Sequence, residues 1–245
     1  MKNFVFLLLS FVSIFMMTSC ESETEILDES TFGYDFFPVS VGKSWVYASD
    51  SIILSSGGTR RDTFRSFIRE VVGDTFVDAT GNTAFRLQRF FKRNESDPWI
   101  STNTWTCSID KNMAIRTEEN IRQVKLVFPI KKGLRWNANV FLYEDLTVVV
   151  GGEPITLFRG LNPRMEEINE PFDFNGQQVP SIKVNLVKEN TIINFRDMTE
   201  YYGKGIGLLK REMIVYDSDG SRPNDPWETK AQKGFKHTLT LIEVN

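Results

Sequence analysis

The chain has 245 residues, of which 41% are hydrophobic and 25% charged, and its formal net charge is −3. A mildly acidic chain without a basic stripe argues against nucleic acid as a partner. One histidine and two cysteines are too few for the usual zinc constellations or a histidine-based catalytic triad. We therefore expect no metal and no cofactor.

Residues 1–19 are predicted to be a removable leader. Lys2 precedes an apolar run at 4–17, which is shorter than the roughly 20 residues that a membrane-spanning helix needs. Such a segment is typical of an export signal. The run ends in Met-Thr-Ser-Cys at 17–20, which resembles the lipobox of bacterial lipoproteins. The resemblance implies lipidation of Cys20, and the alternative is an ordinary secretory signal with a chance cysteine.

Residues 20–33 are predicted to form an acidic, flexible tether. Most of this stretch reads ESETEILDES, and so polar a composition has too little apolar surface to fold. Several acyl chains on one cysteine anchor a protein stably, so the first expected partner is the membrane. The acidic tract resembles the surface-export signal of lipoproteins from Bacteroidota. It favours the cell surface over the periplasmic face of the outer membrane.

The remaining sequence predicts an all-β fold. Short alternating runs rich in Phe, Val, Ile and Thr are separated by turn signals such as Asn175-Gly176, which is typical of antiparallel strands. Asn-Gly is a specific hairpin signal because a type I′ turn needs a positive φ at both central residues. We expect one domain at 34–245, built on a curved antiparallel sheet or half-barrel.

Two similar stretches, FPVSVGKSW at 37–45 and FPIKKGLRW at 128–136, suggest two similar halves at about 34–125 and 126–245. In each stretch the proline is expected to stay outside the sheet, the glycine to bend the chain, and the tryptophan to enter a strand and anchor it. The alternative is that unrelated hairpins share this pattern. The residues concerned are Pro38, Gly42, Trp45, Pro129, Gly133 and Trp136.

Four segments together resemble outer-membrane lipoproteins of unknown function of the Bacteroidota type. These segments are FFPVSVGKSWVY, PFDFNGQQVPSIKV, YYGKGIGLLKRE and GFKHTLTLIEVN. Such proteins are distantly similar in architecture to the half-barrels of periplasmic lipoprotein carriers. The resemblance implies a concave apolar face, whereas a shared fold does not carry function with it. The chain departs from the pattern in the long segment 217–234.

No catalytic residue is predicted. Glu118-Glu119 and Glu166-Glu167 lie on strands, where adjacent side chains point to opposite faces, so neither pair converges on one substrate. His237 is expected to be satisfied by a neighbouring group, and Cys107 to be a buried, inert thiol. Carboxylates distant in sequence can still meet in space, so glycosidase chemistry stays open.

Trp99 and Trp227 each follow an Asp-Pro pair and are the candidates for a contact surface, although they can equally cover the core. The leading expectation is non-catalytic binding of a hydrophobic ligand, a glycan or an envelope protein. The runner-up is a structural or accessory subunit of an outer-membrane complex, and an enzyme comes third.

Overall fold

The computed structural model describes residues 31–110 and 112–245. The predicted leader at 1–19, the predicted lipidation site Cys20 and residues 20–30 of the predicted tether lie outside the described residues. In the described part of the chain, no helix has the length and apolar character of a membrane span.

Strands make up most of the described chain. A 3₁₀ turn covers Tyr34–Phe36, another covers Ser56–Gly58, and one short helix, α1, covers Trp227–Lys230. The strands are β1 (Ser44–Ser55), β2 (Arg60–Val77), β3 (Thr83–Lys92), β4 (Ile100–Asp110), β5 (Met113–Glu118), β6 (Ile121–Val127), β7 (Thr147–Val150), β8 (Glu153–Thr156), β9 (Arg164–Phe174), β10 (Gln177–Asn190), β11 (Asn194–Gly203), β12 (Gly207–Asp217) and β13 (Lys233–Val244).

Eleven of these strands form one antiparallel sheet in the order β6-β5-β4-β3-β2-β1-β13-β12-β11-β10-β9. The chain thus runs outward from β1 to the edge strand β6, and later returns from the opposite edge strand β9 to β13, which pairs with β1. The sheet curls into a half-barrel. The predicted all-β class and half-barrel are confirmed.

The strand order follows from tight hairpins between successive strands. Asn175 and Gly176 have φ angles of 53° and 79° and join β9 to β10 with Phe174 opposite Gln177, which confirms the predicted hairpin. Gly203 and Gly207 end β11 and begin β12, so this glycine-rich stretch forms a hairpin turn rather than a phosphate-binding loop.

The two similar motifs make the same local turn. The amide of Gly42 donates to the carbonyl of Val72 at 2.9 Å, and the amide of Val72 donates back to the residue after Gly42 at 2.8 Å. Gly133 and Met165 make the same pair of bonds, at 2.8 and 2.9 Å. The φ angles of Gly42 and Gly133 are 90° and 84°. The division into halves at 34–125 and 126–245 stays a prediction.

The expectation that each motif tryptophan enters a strand is correct for Trp45 and wrong for Trp136. Trp45 lies in β1, whereas Trp136 follows an isolated bridge between Arg135 and Arg164. The reason is that residues 133–138 lie between the two sheet edges. Their backbone bonds to β9 through Met165 and to β6, where the amide of Val124 donates to Ala138 at 3.0 Å. This closing segment (133–138) thus joins both edges of the half-barrel.

Residues 139–162 form a cap segment on the concave side of the sheet. Its buried anchors are Asn139, Ile155 and Phe158, and Asn139 donates to the carbonyl of Phe158 at 2.7 Å. The cap also contacts β13, because the Lys233 ammonium donates to the carbonyl of Pro154 at 2.7 Å. The interior therefore has a wall of strands and a separate cover.

Candidate ligand-binding site

A cavity of about 330 Å³ lies between the sheet and the cap segment. Leu157, Phe158 and Leu161 of the cap line one side, and Met198 and Met213 of the sheet line another. Methionine adapts its shape readily to neighbouring groups. Further lining residues are Trp105, Glu118, Glu119, Ile121, Gln123, Lys125, Val148, Leu186, Glu200, Arg211, Phe235 and His237.

Charged side chains meet at the inner end of this cavity around the fully buried Glu200 of β11. Its Oε1 lies 3.0 Å from Lys125 Nζ and 2.7 Å from Arg211 Nε, and its Oε2 accepts a bond from the Tyr202 hydroxyl at 2.5 Å. Burial alone would raise the pKa of Glu200, but Lys125 and Arg211 together hold it at about 2. Glu200 is therefore ionised at neutral pH.

A second group of charges continues the cluster across β2 and β5. Arg116 places Nη2 2.5 Å from Glu70 and Nε 2.6 Å from Glu118. Glu118 also lies 3.9 Å from Arg211, which links the two groups. Burial opposes ionisation of Glu118, yet Arg116 and Arg211 keep its pKa at about 2. Arg89 adds a longer contact of 3.8 Å to Glu70.

The charge cluster therefore consists of seven groups that span the interior from β2 and β5 to β11 and β12, five of them with at most 14% of the side chain exposed and two, Arg89 and Glu118, with 26% and 29% exposed. Arg89 and Arg116 also cover the ring of Trp105, at 4.3 and 4.9 Å from its centroid. Such cation–π contacts are strongest where water is excluded. The members are Glu70, Arg89, Arg116, Glu118, Lys125, Glu200 and Arg211.

Three atoms of the charge cluster are buried without a hydrogen-bond partner, namely Arg89 Nε, Arg116 Nε and Glu118 Oε1. Arg116 Nε and Glu118 Oε1 are only 2.6 Å apart, so they attract as ions although their hydrogen-bond directions do not match. Buried polar atoms are usually paired. Among these three atoms, only Arg89 Nε, which lies 3.8 Å from Glu70, thus has no close ionic partner.

His237 of β13 lines the same cavity. Its Nε2 lies 3.1 Å from the Ser49 hydroxyl, so it has the neighbouring partner that the sequence predicts. Burial, helped by Arg211 and Arg89, lowers the pKa of His237 to about 4. The imidazole is therefore neutral at physiological pH.

The motif residues surround this interior rather than reacting in it. The indole of Trp45 donates to the carbonyl of Ile206 at 2.6 Å, and that of Trp136 donates to the carbonyl of Val124 at 3.1 Å. Both rings are buried. Pro38 lies outside every strand, as Pro129 does.

Trp99 and Trp227 do not line the cavity. Trp99 lies in the connection between β3 and β4 with the Lys92 ammonium 4.8 Å from its ring centroid. Trp227 begins α1, packs against Phe195 with a centroid distance of 5.7 Å, and donates to Asn190 at 2.9 Å. Their role as contact residues stays a prediction.

The expectation that neither carboxylate pair converges on one site fails for Glu118 and Glu119, which both line the large cavity although they contact different groups. Glu118 points into the charge cluster, whereas Glu119 is exposed and accepts a bond from the Trp105 indole at 3.0 Å. Glu166 and Glu167 form separate surface contacts with lysines, at 2.9 and 2.7 Å. Three carboxylates line the large cavity, namely the neighbours Glu118 and Glu119 and the distant Glu200.

Sequence reasoning missed most of the charge cluster, because a charged residue on a strand ordinarily faces water. A signal exists in the spacing: residues two apart share one face of a strand. Arg116 and Glu118 are one such pair, and Glu200 and Tyr202 are another. Cys107 is buried as predicted, and burial raises the pKa of its thiol to about 11.

The comparisons with known proteins give weak likenesses only. No protein-family model matches this sequence, and no curated protein matches it. A provisionally named lipoprotein of Parabacteroides distasonis is similar with a TM-score of 0.46 and 12% identity, over 88% of this chain and 99% of that one. A provisionally named outer-membrane lipoprotein-sorting protein domain from Vibrio parahaemolyticus has a TM-score of 0.21 and 13% identity, over 83% and 85%.

Proposed function

We propose that this protein is a lipid-anchored envelope protein that binds one small apolar ligand between its curved sheet and its cap segment, without catalysing a reaction. The observation that carries the proposal is the cavity of about 330 Å³ with its aliphatic and aromatic walls. Ligand sites are mostly concave and apolar, with volumes from about 300 Å³ and a few polar groups that orient the ligand.

The composition of the walls favours an apolar ligand over a glycan. Aliphatic side chains come from both sides, including Leu157 and Leu161 of the cap and Leu186 of β10. Each methylene that a ligand buries there contributes about 0.8 kcal/mol. Sugar hydroxyls against such walls would lose their hydrogen bonds to water without replacement.

The state of Glu118 and Glu200, two of the three carboxylates that line the cavity, supports binding rather than hydrolysis. A glycosidase-type mechanism needs one carboxylic acid with a raised pKa that can donate a proton. The pKa values of Glu118 and Glu200 are both about 2. Both groups are committed to neighbouring cations, so neither carries a proton to donate near neutral pH.

The location is proposed from the sequence. The leader, the lipobox-like Cys20 and the acidic tract after it support an anchor in the outer membrane with the domain at the cell surface. The tether that the sequence predicts at 20–33 would keep the domain within roughly 20 Å of the bilayer and its lipids.

A second candidate, the accessory subunit, is favoured by the apolar surface of the cap segment. Five of its large apolar side chains have exposed fractions between 36% and 74%, and exposed apolar surface marks an interaction site where such side chains form one patch. These residues are Val140, Phe141, Tyr143, Leu146 and Val149.

Binding of the neutral fluorescent probe N-phenylnaphthylamine tests the leading proposal. The mature chain from Cys20 onward, made in the cytosol without acyl chains, should bind it with the blue shift of an apolar site. Leu161→Trp fills the cavity and should weaken binding at least tenfold. Leu146→Trp is the matched control, because Leu146 lies in the same segment but outside the cavity lining.

Leu161→Trp and two variants of exposed cap residues together distinguish the ligand-binding function from the accessory-subunit function. Equal probe binding by Leu161→Trp and the wild type would contradict a ligand site under the cap. If, in addition, Phe141→Ser and Val149→Ser prevented co-purification of an envelope partner that the wild type retains, the accessory role would replace the leading proposal.

A further inference from the structure

The charge cluster does not balance. It contains four cations, Arg89, Arg116, Lys125 and Arg211, against three carboxylates, Glu70, Glu118 and Glu200, an excess of one positive charge. Each buried ion loses several kcal/mol of hydration unless a counter-charge replaces it. An uncompensated cation in this interior therefore needs an explanation.

The other titratable groups near the cluster do not supply the missing negative charge. Burial, reinforced by Glu70 for Tyr47 and by Glu200 for Tyr202, raises the pKa of both phenols well above the usual value, so both stay neutral. His237 is neutral as well, with its pKa at about 4. Glu119 is exposed, where water and salt screen its charge.

A second, smaller cavity of about 40 Å³ lies on the positive side of the cluster. Arg116, Lys125 and Arg211 line it together with one carboxylate, Glu70. Glu118 and Glu200 line the large cavity instead. The small cavity thus faces three cations and one anion. A single water needs about 10–15 Å³ of such volume, so the space accommodates a chloride ion or a carboxylate group.

Residues of the first motif form the remaining wall of the small cavity. Phe37, Pro38 and Trp45 lie against it, and Trp45 is held by its bond to the carbonyl of Ile206. Apolar walls lower the local dielectric and strengthen the attraction between an anion and the cations. The Nε of Arg116 makes no well-directed hydrogen bond, although Glu118 Oε1 lies 2.6 Å from it.

We propose that the small cavity binds one monovalent anion, a halide ion or a carboxylate group, against Arg116, Lys125 and Arg211. One negative charge balances the excess positive charge of the cluster. The proposal does not depend on what the large cavity binds.

A competing outcome is that Lys125 releases its proton. Burial lowers the pKa of Lys125, while the neighbouring Glu200 opposes that change. A neutral Lys125 would balance the cluster without any anion. The two outcomes differ in one measurable respect, because only a bound anion makes the stability depend on the identity and concentration of the anion in solution.

Thermal unfolding of the full mature protein in a non-ionic detergent tests the site. At constant sodium concentration and at a pH above 7, the anion of MES, a bulky sulfonate without a carboxylate group, is replaced stepwise by chloride, bromide or acetate. The melting temperature should rise with the logarithm of the small-anion concentration. A comparison of the melting temperatures in chloride and in acetate shows whether a halide or a carboxylate fits the cavity better.

Variants of the charge cluster should change the anion dependence of the melting temperature in opposite directions. Lys125→Met removes the excess charge and should abolish the anion dependence, whereas Lys132→Met, at an exposed lysine outside both cavities, should leave it unchanged. Glu118→Gln raises the excess to two charges and should tighten anion binding about tenfold. If Lys125→Met does not fold, the anion dependence of the melting temperatures of the wild type and Glu118→Gln still tests the proposal.

Crystals grown with bromide locate the anion directly. The expected anomalous peak lies in the small cavity within hydrogen-bond distance of Lys125 or one of the two arginines. Equal melting temperatures in the MES anion and in every small anion, or bromide peaks confined to the protein surface, would overturn the proposal.

Discussion

Removal of one partner of an ion pair lowers the free energy of unfolding more in the interior of this protein than on its surface. Glu200 is fully buried and holds Lys125, Arg211 and Tyr202. Glu212 holds Lys210 at a similar distance, 2.7 Å, but with 43% of its side chain exposed. Removing one partner of a buried pair leaves a stranded charge, whereas water replaces the partner of a surface pair.

Glu200→Gln should therefore lower the free energy of unfolding by about 3–5 kcal/mol. The matched surface change Glu212→Gln should lower it by less than about 1 kcal/mol. Urea unfolding followed by tryptophan fluorescence measures both values. Similar small losses for the two variants would mean that the charge cluster does not hold the two sides of the sheet together.

His237 gives the stability of the protein a defined pH dependence. Its pKa is about 4 in the fold and about 6.5 in an unfolded chain. Below pH 6.5 the unfolded chain takes up a proton that the folded chain refuses, so stability is full above pH 6.5 and falls as the pH drops toward 4.

Glu118 and Glu200 make the stability depend on pH over a lower pH range than His237 does. Glu118 and Glu200 have pKa values of about 2 in the fold, below the roughly 4.3 of an unfolded chain. Their contribution is therefore present above pH 4.3 and is lost as the pH falls toward 2. His237→Gln should remove the loss between pH 6.5 and 4.5 and keep the steeper loss below it. An unchanged profile in urea titrations would contradict the burial of a neutral His237.

Among the elements of the fold, turns and strands were the most predictable, because their signals are local. The Asn175-Gly176 hairpin is one example, since both residues tolerate the positive φ that a type I′ turn requires. Burial on each strand was less predictable. Leu186 and Val187 are adjacent yet both buried, because β10 has a register shift between Asn185 and Val187. Such a bulge depends on the neighbouring strand and breaks simple alternation.

The closing segment shows the same limit. Its turn at Gly133 repeats the turn at Gly42, and the repeated letters predicted that likeness. The partners of the segment are the two distant strands β6 and β9, and no local pattern states which strands will be neighbours after the sheet curls. Trp136 therefore packs beside a strand and does not enter one.

Close packing between β12 and β13 depends on a glycine. Gly234 has a φ of 135°, and a Cβ placed there would lie 2.0 Å from the carbonyl oxygen of Val215. Gly234→Ala should therefore cost about 3 kcal/mol or more. Gly133→Ala is the control, because Gly133 also has a positive φ but open space around it, and should cost about 1–2 kcal/mol. Equal losses of unfolding free energy for the two variants, measured by urea unfolding, would show that β12 and β13 move apart at little cost.

For the molecule as a whole, composition and hydrophobic periodicity were enough to predict an all-β half-barrel. The reason is that alternation of apolar and polar residues is typical of β-strands and not of helices. The interior was not predictable in the same way. Glu70, Lys125, Glu200 and Arg211 come from four strands, β2, β6, β11 and β12, and only the curvature of the sheet brings them together. A cavity is a property of that curvature and of the cap.

The anchor is a further property of the whole molecule. Replacing Cys20 by Ala should move the protein from the membrane fraction to the soluble fraction and prevent labelling by radioactive palmitate, because acyl chains supply the attachment. Protease added to intact cells should digest the wild-type domain if it faces the outside. Membrane attachment that persists in the Cys20→Ala variant would contradict the lipid anchor.

Native mass spectrometry of the protein purified from its own membrane tests the ligand site most directly. The wild type and Leu146→Trp should each carry one additional small apolar molecule, and Leu161→Trp should carry none. A wild-type protein that emerges without any added mass, or an adduct retained equally by Leu161→Trp, would contradict the account of a ligand held between sheet and cap.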